Sequence, residues 1–150
     1  MALTVEVSNH FLYQCLKKLV DVSADSFKVM LMDDEFVFDP AAHGALADLG
    51  SPSGEIADGS GYTAGGEELS GGTLTEQDSP AKAFRTFSNL TWTADGGNIG
   101  PTGGAIVYDD STDDDTIVGW IDFGTDHEIP DGSSFQLQAI QISLEPVPEE

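Results

Sequence analysis

The sequence predicts a mainly β domain, an antiparallel β-sandwich or small jelly-roll or barrel, with one N-terminal amphipathic helix. Three observations lead there. Short apolar runs with a two-residue period recur from Phe27 to Leu144, the spacing of strands that bury one face. Turn-forming clusters separate them at Asp95-Gly96-Gly97, Gly100-Pro101-Thr102-Gly103-Gly104, Asp109 to Asp115 and Pro130-Asp131-Gly132, as expected of regularly spaced short strands. A single stretch, Ser8 to Val20, repeats its apolar residues at a helical period.

In that stretch Phe11, Leu12, Cys15, Leu16, Leu19 and Val20 form a narrow stripe. Ser8 or Asn9 can cap the first turn, and Lys17 and Lys18 fall in the last turns, where positive charge suits the helix dipole. The stripe is expected to cover one opening of the β core, with docking onto a partner protein as the functional alternative. From Phe27 the period becomes two: Phe27, Val29 and Leu31 lie on one face, Lys28, Met30 and Met32 on the other. Both faces are partly apolar, which predicts a central strand. Asp33-Asp34-Glu35 should turn the chain, Phe36-Val37-Phe38 return it, and Pro40 start a short helical stretch to Leu49.

Residues 50–72 are rich in glycine, yet Ile56, Tyr62 and Leu69 are spaced through them. That pattern predicts an ordered loop turning tightly around an anchored tyrosine. A phosphate-cradling loop is the sharper alternative, and its criteria disfavour it, since no Gly-Lys-Ser/Thr follows and no basic residue is near. Farther on, Phe84, Thr86, Ser88, Leu90 and Trp92 share one parity. Ala105 to Tyr108 forms a short strand, and Ile117, Gly119, Ile121 and Phe123 face opposite Val118 and Trp120. In the last run the apolar phase flips between Ala139 and Ile140, so a bulge or twist is expected there to keep both halves facing inward. Residues 1–144 are read as a single β-rich domain and residues 145–150, Glu-Pro-Val-Pro-Glu-Glu, as a tail or an arm reaching a neighbour.

At 150 residues one domain is expected. The formal charge of −22, from 27 acidic against 5 basic side chains, argues against direct binding to a nucleic-acid backbone, which needs a Lys/Arg footprint. Self-repulsion on this scale is relieved by salt, which suits a marine or salt-loving host. Cys15 is the single cysteine, which excludes an internal disulfide and the paired-cysteine metal motifs. The opening residues lack a basic region and a continuous apolar stretch, so no secretory signal is expected; nor is membrane insertion, because no apolar run approaches ~20 residues.

No catalytic residue, cofactor site or metal site is assigned, and an enzyme is not expected. His10, His43 and His127 share no spacing, and no serine lies in a Gly-x-Ser-x-Gly turn. The acidic run Asp109 to Asp115 has the oxygen ligands a hard cation takes, but departs from EF-hand spacing and reads as a solvated hairpin tip. Trp92, Tyr108, Trp120 and Phe123 fall within strand patterns and are expected to fill the core or a subunit interface; an exposed platform for sugar is the alternative.

Five blocks in order, Phe27 to Leu31, Gly61 to Gly66 (Gly-Tyr-Thr-Ala-Gly-Gly), Leu90-Thr91-Trp92, Ala105 to Tyr108 and Ile121 to Gly124, resemble a family of small virion structural proteins of tailed bacterial and archaeal viruses. The resemblance runs from about Val20 to Leu144. The sequence departs from it at residues 94–104, where the family passes quickly between strands, and in the last strand, where an aromatic-rich segment is customary. The resemblance implies a protein made in the host cytoplasm and carried on the virion, with no catalytic residues. The expected role is a capsid decoration (cement) protein on the outer face of the major-capsid lattice, with that lattice and copies of itself as partners. A tail or fibre component that contacts a host receptor is the alternative.

Overall fold

In a computed structural model, which describes residues 3–146, the chain is mainly β, with antiparallel sheets and one short helix near the N-terminus. In chain order the elements are β1 (Leu3–Thr4), β2 (Glu6–Val7), α1 (Asn9–Leu16), β3 (Phe27–Asp33) and a 3-10 turn (Leu46–Leu49). There follow β4 (Glu67–Glu68), β5 (Leu74–Asp78), β6 (Ala81–Thr86), β7 (Leu90–Thr93) and β8 (Ile99–Asp109). The last three are β9 (Ile117–Ile129), β10 (Ser134–Leu137) and β11 (Ile140–Leu144). One sheet runs β2-β9-β8-β3-β4, a second β1-β11-β6-β5, and β7 pairs with β10. All pairings are antiparallel except that of β1 with β11.

The five-stranded sheet buries both faces, as predicted for β3. Phe27, Val29 and Leu31 of β3 and Ala105 and Val107 of β8 point into the main core. The alternate residues, Met30, Met32, Ile106 and Tyr108, meet Ile117 and Trp120 in a second cluster under Phe36, Phe38, Leu46 and Leu49. Phe36 to Phe38 is therefore a cover and not the expected return strand. The helical stretch expected from Pro40 shrinks to a turn and the 3-10 segment. Asp39 Oδ1 accepts from the Ala41 and Ala42 amides, and Asp48 Oδ2 from those of Gly44 and Ala45, and such bonds compete with helix formation.

The parity expected for β9 also fails. Val118 and Ile121 face the main core while Ile117 and Trp120 face the second cluster. The register shifts opposite Val107 and Tyr108, and the extra residue there carries Val118 across the sheet. Both β8 and β9 extend well past the short strands expected, so that Gly100 to Gly104 belongs to a long irregular hairpin and not to a turn. Likewise Phe84 to Trp92 is two strands: the chain breaks at residues 87–89, and Phe87, not Phe84, is buried.

The phase flip at Ala139–Ile140 is a change of sheet. Ala139 adopts φ 55°, β10 before it pairs with β7, and β11 after it pairs with β6 and β1. Leu137 on one side and Ile140 and Ile142 on the other are all buried. Of the expected tail, residues 147–150 lie outside the described residues.

Gly66 sits where only glycine fits: its φ is +82°, and a β-carbon would collide with the Val29 carbonyl. Gly96 has a similar φ of +85° but open space around it. Gly66→Ala should therefore cost more than Gly96→Ala by roughly 1–3 kcal/mol, the overpacking penalty over and above the left-handed backbone cost, as measured by urea unfolding of the two variants.

Candidate functional site

The loop of residues 50–72 closes on Tyr62, whose side chain is buried. Its hydroxyl donates to Glu55 Oε1 (2.6 Å) and accepts from the Leu31 amide (3.1 Å). Glu55 Oε1 also accepts from the Gly65 amide (2.7 Å), while the Tyr108 hydroxyl donates to the Gly65 carbonyl (2.6 Å). The Tyr62 ring packs against Trp92 at 6.5 Å. Burial, and then the Glu55 carboxylate, push the Tyr62 phenol far above its usual range. Burial, with Asp110, Asp115 and Glu55 adding, raises that of Tyr108 to about 12. Both phenols stay protonated and act as structural donors. The tyrosine anchor expected from the sequence is present, with Tyr62 in contact with Leu31 and Trp92 and the neighbouring Gly65 bonded to Tyr108.

Helix α1 is shorter than the span 8–20 expected. Ser8 caps it by accepting from the Phe11 amide (3.0 Å) while donating to the Ile117 carbonyl (2.6 Å). The helix ends at Leu16, Lys17 is its C-cap, and Lys18 turns to φ 63°. The apolar stripe is thereby split. Phe11 and Val20 are buried and Cys15 half-buried, but Leu12, Tyr13, Leu16 and Leu19 are exposed, Leu16 by 85%. Gln14, not an apolar residue, takes the third inward position. Lys17 and Lys18 flank this exposed face, with Lys17 Nζ 5.0 Å from the Tyr13 ring centre.

A cleft of about 330 Å³ opens over the second cluster. Its floor is aromatic: Trp120 lies 5.2 Å from Phe36 and 6.4 Å from Phe38, the latter pair stacked within 13°. Glu6, Asp33, Asp34, Asp122 and Asp126 line it, and Val37 stands exposed at its lip. Of the aromatics singled out in the sequence, Trp92, Tyr108 and Trp120 are buried, and Phe123 is half-buried against Phe135.

The histidines are dispersed: His10 Nε2 bonds Asp114 (2.7 Å), His43 stacks on Phe36, and His127 packs with Phe123 and Phe135. Residues 109–115 do form the tip between β8 and β9, and among the described residues no three His, Cys, Asp or Glu side chains are placed to hold a metal ion. The expectation of a wholly solvated tip fails at Asp109, which is completely buried. Its Oδ1 accepts from the Ser111 amide (2.8 Å) and its Oδ2 has no partner. Burial, and then the neighbouring Asp25 carboxyl, raise its pKa. The same two carboxylates add to burial in raising that of Cys15. Asp114 moves the other way: burial opposes, but hydrogen bonds from Thr116, His10 and Thr112 hold its carboxyl low.

No helix among the described residues is long and apolar enough to cross a membrane. Compared with known proteins, the chain matches no family model, no curated protein and no solved structure.

Two outcomes follow. Tyr62→Phe leaves the Leu31 amide and Glu55 without their shared partner and should cost about 1–3 kcal/mol in urea unfolding. Asp109, with a pKa raised on folding, contributes stability that is complete below the unfolded value of about 3.9 and lost as pH rises through the folded one. Asp109→Asn should therefore gain melting temperature over the unsubstituted protein at pH 8, and the gain should vanish or reverse near pH 4.

Proposed function

We propose that the chain is a virion structural protein of a tailed virus, a capsid decoration protein that binds the outer face of the major-capsid lattice and braces it. What supports the reading is the resemblance of five sequence blocks to the virion family, together with the way those blocks pack here. Tyr62 of the loop block reaches the Leu31 amide in the Phe27 block and the ring of Trp92, and Gly65 accepts from Tyr108. Ile121 of the last block pairs with Ala105. In this chain the five blocks meet in one framework, which is compatible with a family defined by its place in a particle and not by an active site.

Two further features agree with a coat. The net charge of −22 suits a face turned away from the packaged genome, because like charges repel the phosphate backbone. The exposed apolar side chains of α1 offer contact area, each Å² of apolar surface covered contributing roughly 25 cal/mol. Repetition over symmetric copies multiplies that small gain across the shell.

Quantitative mass spectrometry of purified virions tests the assignment. A coat requires between about one-third and one copy per major-capsid subunit, as lattice symmetry dictates. A ratio of a few hundredths would transfer the protein to the tail, and its absence from virions would end both readings.

A further inference from the structure

Exposed apolar side chains are concentrated on this molecule. Among the described residues, five of the seven large ones fall in two places: Leu12, Tyr13, Leu16 and Leu19 on and just after α1, and Val37 at the lip of the cleft. These two places carry opposite charge. The α1 face holds Lys17 and Lys18, two of the five basic residues of the whole chain. The cleft is lined by Glu6, Asp33, Asp34, Asp122 and Asp126, and no basic side chain lies within ion-pair distance of these five among the described residues.

The other basic residues are occupied elsewhere. Lys28 lies 3.9 Å from Asp110, Lys82 donates to Gln141, and Arg85 donates to the Val22 carbonyl (2.6 Å). A partner that fits the cleft must bring its own cations beside apolar groups, and the α1 face has that composition.

We infer that copies of this chain associate by docking the α1 face of one copy into the aromatic, acid-lined cleft of a second. Leu16, the most exposed apolar side chain, enters against Phe36, Val37 and Phe38. Lys17 and Lys18 meet the carboxylates that line the cleft, where the half-buried ring of Phe38 adds a favourable face for an ammonium group. Net repulsion between two chains of charge −22 disfavours contacts that set acid against acid, whereas this one sets a basic, apolar feature against an acidic, aromatic one. The contact joins unlike surfaces, so each copy retains a free cleft or a free helix for the next, and the arrangement closes into a ring or extends. It deepens the coat reading, which places copies of this chain side by side. Its test uses free protein, so that the two readings fail separately.

Two pairs of substitutions at exposed positions separate the surfaces: Leu16→Glu with Lys17→Glu on the helix, and Val37→Lys with Asp126→Lys at the cleft. Circular dichroism and thermal melts establish that both variants fold. In sedimentation velocity at physiological salt, where screening acts over about 8 Å, the unsubstituted chain should associate with rising concentration. Each variant alone should associate at least about tenfold more weakly, and an equimolar mixture of the two should regain association, because one supplies an intact cleft and the other an intact helix. An unsubstituted chain that stays monomeric to millimolar concentration, variants that associate as it does, or folded variants whose mixture remains monomeric would each overturn the contact. A helix variant that loses only virion binding, with the free chain monomeric throughout, would assign the α1 face to the capsid lattice instead.

Discussion

A strand inside a protein must have its backbone groups paired on both edges, and β3 meets that requirement in an unusual way. On one edge it runs along β8 for its full length. On the other, β4 pairs with it only at Lys28 and Val29, and from there the loop of residues 50–72 takes over. The Leu31 amide donates to the Tyr62 hydroxyl and the Leu31 carbonyl accepts from Ile56 (3.1 Å). The Asp33 amide donates to Gly54 (2.7 Å). A tyrosine hydroxyl thus stands where a neighbouring strand would supply a carbonyl. The glycine-rich segment is the lateral cap of the central sheet, and it removes an open edge on which other chains could pair.

The same economy governs how the sheets meet. β8 and β9 form a hairpin whose two faces serve the main core and the second cluster, and irregular register along it redirects side chains between the two. At the C-terminal side the left-handed residue Ala139 moves the chain from β7 to β6 without exposing either apolar set. Bulges and sheet switches of this kind let one chain close a small core from both sides.

Much of this was legible in the sequence, and the failures have a common cause. The β class, the two-faced strand at Phe27, the anchored Tyr62 loop, the Ser8 cap and the irregularity at Ala139 each follow from local chemistry or period. The parity of β9, the break at Phe87 and the division of the α1 stripe do not, because they depend on which neighbour a strand or helix meets. A two-residue period cannot announce a bulge whose cause lies in the opposite strand. Nor can six apolar residues at helical spacing reveal that Gln14 will face inward while Leu16 stands in solvent. The acidic tip misled in a similar way: composition describes a solvated loop, but Asp109 continues β8 opposite Phe27 and is buried by that pairing. The cleft has no local signature, because its walls come from residues 6, 33–38, 103 and 120–126, segments joined only by the fold.

With only five basic side chains against 27 acidic ones, the placement of each cation carries weight. Arg85 is spent on architecture: its guanidinium lies 4.6 Å from the Phe87 ring centre and 5.8 Å from that of Phe27, and it fixes the Val22 carbonyl. Lys82 lies over Phe84 at 4.7 Å, and Lys28 offsets the charge at the hairpin tip through Asp110. Lys17 and Lys18 remain at the surface, adjacent to one another and to the largest group of exposed apolar residues. A body so acidic repels acidic partners over most of its surface, and the α1 face is where it sets two cations beside exposed apolar side chains. Affinity from apolar contact and orientation from charge therefore coincide on one short helix. In the proposed contact, that coincidence would orient an acidic partner toward one face before any detailed fit is tested.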